Sequence, residues 1–167
     1  MLPLNPAQNN QEENALFFVS LKIILRNDDG AVLLLKLPPT SAMAGYYDLP
    51  GGRIRGGEEK IPFREIIARE IREEIGDITF KLCEVPAAVG RHFYVSKKTH
   101  KEQNLFWIFL EAQYVYGKIE ISDEHTKYEW IHITEDNVDK LFIKGALEGM
   151  WSYLHKKFHS SVWSKTM

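Results

Sequence analysis

Residues 49–77 read LPGGRIRGGEEKIPFREIIAREIREEIGD, two glycine pairs followed by an alternation of isoleucine and charge. Ile67, Ile71 and Ile75 recur at four-residue spacing, which predicts a helix from about Pro62 to Ile75. Gly76 closes it in the position that favours glycine. Pro62 suits a first helical turn, whereas Ile61 is a poor N-cap. At ~100° per residue, Glu70, Glu73 and Glu74 share an arc of about 100° beside the isoleucine stripe. Arg69 and Arg72 point elsewhere and leave that acidic face incompletely neutralised.

Like charges at i,i+4, as in Glu70 and Glu74, disfavour an isolated helix by a few tenths of a kcal/mol. Burial beside the stripe disfavours each charge further. A divalent cation offsets both effects, and several hard oxygen ligands suit Mg²⁺ or Mn²⁺ rather than zinc. The alternative is a solvated face with Glu65–Arg69 and Arg69–Glu73 as ordinary ion pairs. The glycines ahead of the helix let backbone approach a ligand closely, or simply form turns.

Upstream, ALFFVSLKIIL (15–25) and AVLLLK (31–36) read as strands joined by the turn Asn27-Asp28-Asp29-Gly30. A loop with Pro38, Pro39 and Gly45 leads to the short extended piece Tyr47-Asp48-Leu49. Downstream, ITFKLCEV (78–85), AVGRHFYV (88–95), NLFWIFLEAQYV (104–115) and YEWIHI (128–133) are strand-like. Thr134 is placed to cap a short helix. Leu147, Met150, Trp151, Leu154 and Phe158 predict a terminal amphipathic helix. The expected fold class is mixed α/β, a sheet flanked by helices.

The 167 residues suit one domain, expected at 15–167 after a loose lead-in at 1–14. A net charge of -2 supplies no global basic field for nucleic acid or an anionic membrane. One cysteine, Cys83, excludes an intramolecular disulfide and a Cys-rich zinc site. The polar N-terminus lacks the pattern of a signal peptide, and no apolar run approaches the ~20 residues of a membrane span. A cytoplasmic protein with no membrane partner is expected; the oligomeric state is open, a homodimer included.

Loop and helix together resemble the Nudix box: glycine, five residues, Glu, seven residues, then Arg-Glu-apolar-x-Glu-Glu-x-Gly-apolar. Gly52, Glu58, Arg69, Glu70, Ile71, Glu73, Glu74 and Gly76 carry the match. Two positions depart from it. Ten residues separate Glu58 from Arg69, a three-residue insertion around 59–63, and Asp77 stands at the last apolar position. The insertion puts the placement of Glu58 in question more than that of the helical glutamates. The resemblance implies a Nudix-type α/β/α sandwich and a Mg²⁺- or Mn²⁺-dependent hydrolase. Its substrate would be a nucleoside diphosphate linked to another group: a nucleoside triphosphate, nucleotide sugar or dinucleoside polyphosphate.

By the same resemblance, Glu70, Glu73, Glu74 and the Gly51 carbonyl hold the metal, Glu70 or a neighbour serves as base, and Arg69 orients Glu70. A further carboxylate is expected from a late loop. SDEHTKYEW (122–130) offers Glu124 as ligand or base, with Asp123 and His125 as neighbours. Tyr94, 17 residues past the box, and Arg91 are candidates for substrate binding. Arg91, Lys97, Lys98, His100 and Lys101 could meet extra phosphates or RNA, although nothing singles out an RNA 5′ end, and a solvated hairpin tip explains them equally. Phe17, Phe18, Tyr46, Tyr47 and Trp107 could stack a base or simply fill the core. Two other classes stay open: a nucleotide-sensing module with a degenerate box, and an isoprenyl diphosphate isomerase, which needs a suitably placed cysteine.

Overall fold

The computed structural model describes residues 14–96 and 99–163, with side chains as far as Lys156. The lead-in before residue 14, Lys97, Lys98 and the Phe158 side chain therefore lie outside the described residues. The elements run β1 (Phe18–Arg26), β2 (Val32–Lys36), β3 (Tyr47–Asp48), α1 (Phe63–Ile75), β4 (Thr79–Val95), β5 (Glu102–Tyr116), β6 (Tyr128–Ile131), α2 (Val138–Leu141) and α3 (Lys144–Trp163).

The sheet has the order β3-β2-β1-β5-β4, with β6 also on β2. Its centre is a parallel pairing of β1 with β5 over nine positions, Phe18 opposite Leu105 to Arg26 opposite Gln113. The other strand pairs are antiparallel. Strand alternation sends Leu21, Ile23 and Leu25 to one face, where Ile66, Ile67, Ile71 and Ile75 of α1 cover them. Ile24, Trp107 and Phe109 face the other way, against Phe142, Met150 and Leu154. Both faces are thus closed by helices, the α/β/α sandwich expected from the sequence.

α3 comes close to the sheet because glycine meets it there. A Cβ on Gly149 would stand 2.1 Å from the ring of the fully buried Phe109, and one on Gly90 2.3 Å from the Gly145 carbonyl oxygen.

Four local expectations are corrected. Residues 78–85 and 88–95 form one strand, β4, with register shifts on either side of Pro86. Proline is tolerated there because β4 is an edge, where the missing N–H breaks no ladder. The predicted β1–β2 hairpin pairs only at Arg26 and Val32. Beyond that pair, the glycine loop takes the edge of β1: Leu21 N–H donates to the Gly52 carbonyl and Ile23 N–H to that of Pro50. Pro62 stands at the N-cap rather than inside the helix, with φ −56° and ψ 140°. Its carbonyl accepts from Glu65 and Ile66, so it needs no side-chain cap to start the first turn. The N-cap of α2 is Asn137, not Thr134. Asn137 Oδ1 accepts from the Thr134 amide, and the Thr134 carbonyl accepts from Asn137 and Val138.

Candidate active site

Insertion of the glycine loop along β1 brings it against the acidic face of α1. A cleft of about 640 Å³ opens there, within the usual range for small-molecule sites. Gly51, Gly52, Arg55, Glu70, Glu73 and Glu74 line one wall. Ser122, Glu124 and His125 line another, and Lys22, His92, Tyr94 and Trp107 from the sheet face it as well.

Backbone geometry fixes the glycine wall. Gly51 has φ 124°, a conformation that side chains disfavour, and a Cβ on it would stand 2.1 Å from the Leu21 carbonyl oxygen. Its amide donates to Glu74 Oε2 at 2.7 Å. At Gly52 a Cβ would fall 2.5–2.6 Å from the carboxylate atoms of Glu70, so only glycine leaves that carboxylate its place.

Glu70 is 6 % exposed, the most buried carboxylate of the wall. Arg69 Nη1 lies 2.7 Å from its Oε1. Arg69 is in turn gripped by Glu58, which accepts from Nε at 2.9 Å and from Nη2 at 3.1 Å. The Arg55 amide donates to Glu58 Oε2 at 2.8 Å. That amide, ahead of the Arg69 and Arg55 charges, holds the Glu58 carboxyl below its usual range. The insertion therefore does not displace Glu58: the extra residues are taken up in turns after Glu58, and the carboxylate still reaches Arg69.

Arg69 does not point away from the acidic face. Its Nη1 also donates to Glu73 Oε2 at 3.2 Å, and Arg55 Nη2 reaches the same oxygen at 2.6 Å. The Arg55 bond, above all, holds Glu73 below the usual carboxylate range. Two arginines thus offset part of the repulsion on this face, and Arg69–Glu73 is the i,i+4 ion pair of the alternative reading. Among the described residues, no three His, Cys, Asp or Glu side chains converge tightly enough to enclose an ion as they stand.

Glu74 behaves differently. Burial pushes its pKa up to about 7, against the opposing pull of Lys22 and of the Gly51 amide. A carboxylate raised this far by desolvation is one that gains from a nearby positive charge. The late loop stands beside it, because Ser122 N–H donates to the Glu74 carbonyl and Glu120 N–H to that of Ile75. Ser122 Oγ and His125 Nδ1 are buried there without a hydrogen-bond partner. Burial lowers the His125 pKa and keeps the ring neutral at pH 7. Glu70, Glu73, Glu74 and Glu124 line the same cleft as Gly51, and carboxylate and carbonyl oxygens are the donor type that a hard divalent cation takes.

Tyr94 also faces the cleft, with its hydroxyl between Arg53 Nη2, at 2.7 Å, and Gln103. Arg91 does not. Alternation along β4 sends His92 and Tyr94 to the cleft, while Arg91 is occupied by Glu148 of α3, through its amide at 2.8 Å and its guanidinium at 3.4 Å. Of the aromatic candidates, Trp107 lines the cleft, whereas Tyr47 bonds Glu129 on β6. Cys83 is exposed on β4 and borders a separate hollow with Arg26 and Glu111, away from the box.

Sequence reasoning passed over Lys22 and Asp48. Lys22 is 6 % exposed, and its Nζ bonds Asp48 Oδ2 at 2.8 Å. A lysine in the middle of SLKIIL was the available signal, since lysine is almost never fully buried unless paired.

A NUDIX domain family model matches residues 17–145. The CTP pyrophosphohydrolase of Escherichia coli (strain K12) is 26 % identical over 93 residues, 47 % of this chain and 67 % of that protein. The MutT protein from Methanosarcina mazei Go1 has a similar structure, with a TM-score of 0.60 at 22 % identity over 87 % of this chain and 94 % of that one. A C. elegans Ap4A hydrolase binary complex gives 0.55 at 18 % identity over 88 % and 98 %. These structural likenesses establish the fold, and the match over most of the chain places this protein in the Nudix hydrolase family.

Proposed function

We propose that this chain, a single domain over residues 15–167, is a Mg²⁺- or Mn²⁺-dependent pyrophosphohydrolase of nucleotide derivatives. Its substrate would be a nucleoside triphosphate, a nucleotide sugar or a dinucleoside polyphosphate. The reading is supported by one observation above the others: Gly51, Glu70, Glu73 and Glu74 share a cleft with Glu124, which comes from a loop some 50 residues later. The names of two relatives, a CTP pyrophosphohydrolase and an Ap4A hydrolase, point to the same substrate class.

In this mechanism the relay from the Arg55 amide through Glu58 and Arg69 fixes the Glu70 carboxylate, which takes the proton from the attacking water. Glu70, Glu73, Glu74, Glu124 and the Gly51 carbonyl would hold the cation, with Arg55 and Arg69 yielding Glu73 to it. The cation would neutralise the diphosphate and acidify the water. Tyr94 and Trp107 form the wall available to the rest of the substrate. Arg91 lies beside this cleft rather than among its lining residues, paired with Glu148 at the surface. No described helix is long and apolar enough to cross a membrane; the single cysteine, suited to a reducing compartment, is the ground on which the activity is proposed for the cytoplasm.

A screen of nucleoside triphosphates, nucleotide sugars, ADP-ribose, dinucleoside polyphosphates, capped RNA and isopentenyl diphosphate with Mg²⁺ tests this. One nucleotide class should be hydrolysed, and Glu73→Gln and Glu74→Gln should each reduce turnover by orders of magnitude in a folded protein. Near-normal turnover in both variants would sink the metal assignment. Isomerisation of isopentenyl diphosphate would replace the reading altogether.

A further inference from the structure

Lys22 uses its three N–H donors on three oxygens: Asp48 Oδ2 at 2.8 Å, the Leu49 carbonyl at 3.2 Å and the Gly51 carbonyl at 3.2 Å. One carboxylate and two carbonyls around a buried positive charge are the ligands that a hard metal ion takes in proteins. The arrangement is held from both sides. Asp48 Oδ1 accepts the Leu49 amide, fixing the carboxylate, while the Gly51 amide is bonded to Glu74. The Trp107 ring stands 5.6 Å from the ammonium, adding a further contact favourable to a cation.

We propose that Lys22 is a resident cation: its ammonium occupies an oxygen seat formed by Asp48, Leu49 and Gly51, and so positions the Gly51 carbonyl. On this view the chain carries one positive charge of its own where another protein could recruit an ion. Lys22 is a positioning residue that acts through Gly51, and it limits the number of divalent ions the cleft accepts. The inference rests on the proposed function for its consequence, since Gly51 is a metal ligand only in that reading. The seat itself rests on the three contacts.

The test replaces the ammonium with a neutral chain of similar length and counts ions. Mn²⁺ bound per chain is measured by electron paramagnetic resonance for the full-length protein and for Lys22→Met, without substrate, alongside the Mn²⁺-induced shift of the thermal midpoint. Lys22→Met should melt lower than the parent in chelator, bind one more Mn²⁺ per chain and show the larger upward shift. In Lys22→Met/Asp48→Asn the seat loses its only carboxylate, and the additional ion should disappear. If Lys22→Met does not fold in chelator, refolding in Mn²⁺ reads the same seat: recovery supports it and continued failure overturns it. Equal ion counts and equal shifts in parent and variant also overturn it, because a purely structural lysine would not change the count. A parent that binds no Mn²⁺ defeats the functional reading instead, and an ion gained by the variant would still support the seat.

Discussion

Glu74 sets the pH response of the cleft. Folding raises its pKa from 4.5 to about 7, chiefly by burial. Between those values the metal-free folded chain keeps a proton that the unfolded chain has released, so stability falls as pH rises. The favourable contribution is complete below pH 4.5 and gone above about 7, a change on the order of 3 kcal/mol. Glu74→Gln removes this titration while preserving an acceptor for the Gly51 amide. Denaturant unfolding in chelator at pH 4.5 and pH 8 should show a steeper loss for the parent than for the variant, and equal losses would refute the assignment. Gly52→Ala acts on the neighbouring carboxylate. The added methyl collides with the end of the Glu70 side chain, which can swing aside at little cost to the fold. Turnover should drop about 100-fold, the scale of a 1 Å misplacement, while the thermal midpoint moves by only a few degrees. Unchanged turnover would show that the position of Glu70 is not critical.

Helix α1 and its approach loop show what could be read from sequence. The stripe of Ile67, Ile71 and Ile75 and the closing Gly76 are local signals, and helix and end both match the expectation. The contacts of Arg69 were not legible, because spacing gives a direction of departure but not where a long guanidinium arm ends. The fate of Glu58 was likewise hidden, since the count of intervening residues cannot say how a loop folds back. In the structure, Ile61 N–H donates to the Glu58 carbonyl, and the surplus residues form turns outside the Glu58–Arg69 contact. Residues 59–61 are exposed. Deleting them should keep activity within a few-fold and stability within about 1 kcal/mol, as for benign surface changes. An active-site collapse in a protein that still unfolds cooperatively would show that this loop shapes the cleft. Lys22 was missed for a different reason: β1 was read for its apolar pattern, and the partner that makes a buried lysine tolerable lies 26 residues away at Asp48.

Across the whole molecule, composition and motif led to the layered α/β class, but the pairing of β1 with β5 is a non-local fact that no window of sequence contains. That pairing joins residues 18–26 to 105–113, and with it the site is assembled from segments far apart in the chain. A fragment ending at residue 101 contains the entire box yet lacks β5. It should show neither a cooperative thermal transition nor cation-dependent stabilisation, measured by calorimetry with and without Mn²⁺. A cooperative, cation-responsive fragment would mean that the box organises itself without the central pair.

The same parallel pair imposes an order on synthesis. The buried stretch Leu21–Leu25 leaves the ribosome early, but its neighbour in the sheet follows only after roughly 80 further residues, about 4–16 s at 5–20 residues per second. During that interval a strand meant for the centre of the sheet has an open edge, the condition under which nascent chains associate wrongly or are held by chaperones. The sheet that frames the cleft can therefore close only after its signature motif is already made, once β5 has emerged beside β1.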